Sequence, residues 1–167
     1  MKELMGFLLI ALGGYGATAQ ATPWGMAKDA DIKTVDGVVS ICIPASDADD
    51  VPIDSVWLTE SNLNNGARQT MWDIEKVAGS APIGLKPGEC LKYGAELPGY
   101  NVNVSEQELK AGVTYRVRLN IFIKNPKHTS TLFYTAVFCP VVRDGKVIYL
   151  PYRYEPDGRV LKPRCDE

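Results

Sequence analysis

From Val113 to Lys124 the chain alternates: Val113, Tyr115, Val117, Leu119, Ile121 and Ile123 interleave with Thr114, Arg116, Arg118, Asn120, Phe122 and Lys124. A period of two places each set on its own face of an extended backbone, so the segment predicts a long β-strand with one core face and one largely polar face. Tyr100, Val102 and Val104 alternate with Asn101 and Asn103 in a shorter strand of the same kind. Further strands are predicted at Gly37 to Ile43, Ile53 to Glu60, Gln69 to Val77, Glu89 to Tyr93, Thr131 to Val142, Lys146 to Tyr154 and Arg159 to Lys162. Asp144-Gly145 lies between two of these runs, and this dipeptide suits a two-residue type I′ hairpin turn because both positions need positive φ.

Pro140 and Pro151 fall within that hairpin. Strands tolerate proline at edges and bulges, which predicts a peripheral C-terminal hairpin. One helical turn is predicted at Ser105 to Leu109, where Ser105 and Glu108 have the capping-box spacing. Residues 78–88 (AGSAPIGLKPG) read as a loop. Leu109-x-x-Gly112-x-x-Tyr115 sits where a turn enters the long strand, the position of the corner tyrosine in immunoglobulin-like sandwiches. The expected fold is therefore all-β: an immunoglobulin/fibronectin-like antiparallel β-sandwich of about seven or more strands with a C-terminal β-hairpin.

Residues 1–21 are expected to be a signal peptide and 22–167 one β-sandwich domain. Lys2 supplies the charged start, Gly6 to Leu12 the apolar core, and Ala17-Thr18-Ala19 and Ala19-Gln20-Ala21 two small-x-small cleavage sites, giving a mature start at Gln20 or Thr22. Leu12-Gly13-Gly14 is followed by Tyr15, where a lipoprotein signal would carry the lipid-bearing cysteine. No stable membrane anchor is expected. Cys42, Cys90, Cys139 and Cys165 all follow the signal, and an even number in an exported chain predicts two disulfides. They are too far apart for a zinc site, and no metal or other cofactor is expected.

The net charge of −2 conceals an uneven chain. Residues 22–108 carry six Lys or Arg against fourteen Asp or Glu, a balance of −8, and residues 109–167 carry eleven against five, a balance of +6. With an exported address and no recognition motif, nucleic-acid binding is not expected. His128, in a polar turn, reads as a solvated residue and not as part of a catalytic triad, and no nucleophile elbow accompanies it. Asp47, Asp49, Asp50 and Asp54 lack EF-hand spacing and read as a solvated loop. No catalytic residue is expected. Trp57 lies between Val56 and Leu58 and cannot share their strand face, while Tyr149, Tyr152 and Tyr154 crowd the terminal hairpin. These four aromatics are the candidate partner-binding anchors.

Ile41-Cys42-Ile43-Pro44, the block from Leu85 to Gly94 (LKPGECLKYG), Leu109-x-x-Gly112-x-x-Tyr115-x-Val117-x-Leu119 and Tyr134-x-Ala136-x-Phe138-Cys139, with Cys165 near the end, together resemble the type VI secretion system immunity periplasmic lipoproteins. The resemblance spans nearly all of residues 22–167, with Tyr15 as the departure from the lipidated pattern. It implies a periplasmic immunity protein, here soluble, that neutralises a cognate secreted effector toxin by direct stoichiometric binding. The alternative is a periplasmic structural or assembly module, such as a pilus-associated immunoglobulin-like protein that offers a sheet edge for strand addition. Three disulfide connectivities are open to four cysteines. Cys42 with Cys90 and Cys139 with Cys165 is the expected pairing, because it closes two loops that do not cross.

Overall fold

The computed structural model describes residues 26–61, 68–125, 131–155 and 157–165. The expected signal segment and His128 lie outside the described residues. Among the described residues the chain forms strands and turns and no helix. In chain order the strands are β1 (Met26–Asp29), β2 (Asp31–Val35), β3 (Val38–Cys42), β4 (Val51–Glu60), β5 (Thr70–Lys76), β6 (Gly84–Leu85) and β7 (Cys90–Lys92). They continue with β8 (Tyr100–Val104), β9 (Tyr115–Ile121), β10 (Thr131–Arg143), β11 (Lys146–Pro151), β12 (Arg153–Tyr154) and β13 (Val160–Leu161).

The larger sheet has eight strands in the order β1-β10-β9-β4-β5-β8, with β11 also on β10 and β6 also on β4. A second sheet has the order β2-β3-β7, and β12 and β13 form a two-stranded ribbon. The pairing is antiparallel except for β1, which runs parallel to β10, so the expected all-antiparallel sheet is corrected at that edge. Ile53, Val56 and Leu58 on β4, Trp72 and Ile74 on β5, Tyr115, Val117 and Leu119 on β9, and Tyr134, Ala136 and Phe138 on β10 form one buried layer. Ile32, Val39, Ile41 and Leu91 of the smaller sheet belong to the same core. The period of two thus builds a sandwich-like, two-layer core, with each fully buried large side chain contributing about 1.5–3 kcal/mol relative to exposure.

The segment Ser105 to Leu109 forms no helical turn. The Gln107 N–H, which a capped turn would direct to the Ser105 side chain, donates instead to the Met71 carbonyl at 2.9 Å, with the Tyr93 hydroxyl also at 2.9 Å. Docking against β5 has overridden the local capping signal. The terminal hairpin is only partly peripheral. β11 is an outer strand, but β10 lies inside the sheet and Phe138 to Val141 are buried. Pro140 is accommodated because its carbonyl faces the turn before β9, where it accepts the Gly112 N–H at 2.9 Å. The missing proline donor therefore removes nothing from the β11 ladder. Pro151 ends β11, separating it from β12.

Candidate functional site

The outward face of the larger sheet follows from the same alternation. On β4 the outward residues Ser55, Trp57 and Thr59 oppose Asn120, Arg118 and Arg116 on β9, and Arg118 and Arg116 oppose Thr135 and Val137 on β10. On its other side Trp57 opposes Asp73 of β5. Trp57 is 47% exposed although its chain neighbours Val56 and Leu58 are fully buried. The tryptophan thus stands on open sheet between a column of cations on β9 and the carboxylates Asp73 and Glu75 on β5. The acidic and basic halves of the chain become two sides of one sheet face.

A network holds this face in shape. The Arg118 guanidinium lies 3.8 Å from the centroid of the Phe133 ring, and its Nε donates to Asn120 Oδ1 at 2.7 Å. Asn120 Nδ2 in turn donates to Ser55 Oγ at 2.7 Å. Burial, and secondarily the neighbouring charge of Arg116, lowers the pKa of Arg118 from the usual arginine value. Such a preorganised guanidinium stacked on an aromatic ring loses little freedom when a partner docks.

The four predicted anchors separate. Tyr149 packs into the core edge, its ring edge-on to Phe138 with centroids 6.0 Å apart, and burial raises its pKa from the ordinary tyrosine value. That ring is a packing element and not an exposed anchor. Tyr152 is half-buried, with its hydroxyl 3.1 Å from Thr114 Oγ1 and its N–H donated to the Val137 carbonyl at 2.8 Å. Tyr154 pairs through its backbone with Val160. Trp57 and Tyr152 therefore serve one face, at its centre and at its end. The cation column, Phe133 and Asp73 lie outside the residues expected from sequence to form the site, although the alternation that places Trp57 outward also places Arg116 and Arg118 outward.

The cysteines form Cys42–Cys90 and Cys139–Cys165, and two disulfides fit an exported protein. The first joins β3 to β7 within the smaller sheet, and the second ties the C-terminal segment to β10. Among the described residues no helix is long and apolar enough to cross a membrane. Asp47 is more than a solvated loop residue: it accepts a short hydrogen bond from the Tyr134 hydroxyl and an ion pair from Lys28 at 3.1 Å. The Tyr134 bond, supplemented by Lys28, holds its carboxyl below the usual carboxylate range. Among the described residues no group of three or more His, Cys, Asp or Glu is arranged to hold a metal ion.

Fold and site together define a disulfide-braced, sandwich-like all-β protein with one chemically structured sheet face. Comparison with protein-family models, with curated proteins and with solved structures finds no match to the chain.

Proposed function

We propose that this chain is a soluble periplasmic immunity protein that neutralises a type VI secretion toxin by stoichiometric binding, using the outward face of the larger sheet. The carrying observation is Trp57, 47% exposed on a strand and flanked by Arg118 and Asp73. A large aromatic among charges of both signs suits the centre of a standard interface of roughly 800 Å² per partner, where tryptophan and arginine dominate the binding energy. The resemblance of the sequence patches to the immunity lipoproteins is what suggests the biological setting, and inhibition by coverage needs no catalytic group on this chain. We further read the sandwich as immunoglobulin-like, on the strength of the Tyr115 corner, whose hydroxyl accepts the Lys110 N–H at 2.8 Å.

The test is expression of candidate secreted effectors, directed to the periplasm with and without the mature protein. Protection by the intact chain, a one-to-one complex by calorimetry and weaker protection by Trp57→Ala are expected. Equal killing with and without the chain, together with no complex, would reject the reading. The assembly-module alternative draws on one observation, the outer edge of β8, unpaired among the described residues, with Val102 55% exposed. A partner that binds by adding a strand would be weakened by proline substitutions in β8 and not by Trp57→Ala.

A further inference from the structure

At the end of the same sheet face, one row from Trp57, the C-terminal segment overhangs a cleft of about 300 Å³. Arg116 and Lys162 line it, with the hydroxyls of Ser61, Thr114 and Tyr152 and the apolar floor of Val137. No carboxylate is among its lining residues, and among the described residues neither Arg116 nor Lys162 forms an ion pair. The contrast with the neighbouring clefts is chemical. One is lined by Asp29, Asp31 and Glu155 together with Lys33 and Arg153, and in the other Lys28 is already paired with Asp47.

We propose that this cleft is a binding site for an oxyanion, a carboxylate or a phosphate, held between the Arg116 guanidinium and the Lys162 ammonium and hydrogen-bonded by the surrounding hydroxyls. A guanidinium and an ammonium lining one cleft that no carboxylate lines give a local positive potential, which a concave surface concentrates. Thr114 and Tyr152 already share one hydrogen bond of 3.1 Å, and either can rotate its proton toward an incoming acceptor. The two cations come from distant parts of the chain, Arg116 from β9 and Lys162 from the segment after β13, which Cys139–Cys165 fastens to β10. The bridge therefore assembles the site. The oxyanion has two sources, a free small molecule or an acidic side chain of a bound protein. The inference does not depend on the immunity reading.

The experiment is a titration of the isotopically labelled mature chain, followed by amide chemical shifts, with inorganic phosphate in one arm and a triglutamate peptide in the other, at constant ionic strength. Saturable shifts at Ser61, Thr114, Arg116 and Lys162 are expected, with binding weakened roughly ten-fold or more in Arg116→Gln/Lys162→Gln. Lys33→Gln, in the mixed-charge cleft, is expected to leave the titration unchanged. Saturation by phosphate alone assigns a free anion, and tighter binding of the peptide assigns a protein side chain. Shifts that do not saturate, that spread over the surface cations, or that persist in a double variant whose spectrum remains dispersed would overturn the proposal. Thr114→Val/Tyr152→Phe, which keeps both cations, provides a second variant expected to weaken binding.

Discussion

Tyr115 combines two roles in one side chain. Its ring is fully buried, tilted against Phe138 at a centroid distance of 5.9 Å, while its hydroxyl accepts the Lys110 N–H at 2.8 Å across the turn that enters β9. Tyr115→Phe keeps the ring and leaves that N–H without its acceptor, so unfolding stability should fall by about 1 kcal/mol. Trp57→Ala, on the open face, should change stability by no more than about 0.5 kcal/mol. Urea titrations of both variants check the contrast, and an unchanged midpoint for Tyr115→Phe would remove the corner's structural role. Tyr93 reports at high pH. Its ring meets Trp72 edge-on at 5.5 Å, its hydroxyl lies 2.8 Å from the Met71 carbonyl, and burial pushes its pKa up to about 12. The folded state thus holds this proton after the unfolded chain, near its ordinary value of 10.0, has released it. The associated stability is fully present below pH 10 and is lost as pH rises toward 12. Tyr93→Phe should flatten part of that alkaline slope, leaving the share of Tyr134, whose pKa is also raised by burial and by its bond to Asp47. Stability measured from pH 9 to about 12 with an equal slope in both proteins would contradict it.

Two hairpins share one turn chemistry. Asp36-Gly37 links β2 to β3 with φ of 54° and 78°, and Asp144-Gly145 links β10 to β11 with φ of 51° and 71°. A Cβ at either glycine would meet no atom within 4 Å, so any cost of substitution is conformational and not steric crowding. Gly37→Ala and Gly145→Ala should each destabilise by about 1–2 kcal/mol, and Asp36→Gly or Asp144→Gly should be tolerated. Chemical denaturation of the four variants reads this directly. The second of these turns is legible in the sequence; the first carries the same dipeptide but lies at the start of the strand predicted from Gly37. β2 is not legible in the sequence because it is an outer strand in which Ile32 alone is buried, so no alternation advertises it. β1 is four residues pairing parallel to β10, a partner more than a hundred positions away that local pattern cannot reveal. By contrast β4, β5 and β10 start or end within two residues of where period two puts them, because each has a buried face long enough to repeat, whereas β8 matches on the alternation of Tyr100, Val102 and Val104 with asparagines although none of its residues is buried. For the site, alternation exposed Trp57, but the meeting of Arg116 with Lys162 depends on the return of the C-terminal segment, which no local signal encodes.

At the scale of the molecule the two disulfides fasten different things. Cys42 is fully buried and pairs with Cys90 across β3 and β7, so this bridge lies inside the smaller sheet, whereas Cys139–Cys165 anchors a segment whose Val160, Leu161 and Lys162 are exposed. Chain entropy alone makes them similar. Loops of 48 and 26 residues correspond to about 4 and about 3.5 kcal/mol. Their consequences should nevertheless differ, because losing the first also frees one layer of the sandwich from its internal brace, while losing the second frees the tail that walls the cationic cleft. Cys139→Ser/Cys165→Ser should therefore retain cooperative unfolding at a lower urea midpoint and become cleavable by trypsin at Arg159, with the fragment released. In the intact protein any such fragment stays attached through Cys165, which non-reducing mass spectrometry detects. Cys42→Ser/Cys90→Ser should instead be cut across the whole chain. If the tail variant is digested throughout, or if its tail resists trypsin as well as the intact protein does, the terminal bridge is not what holds that segment over the sheet.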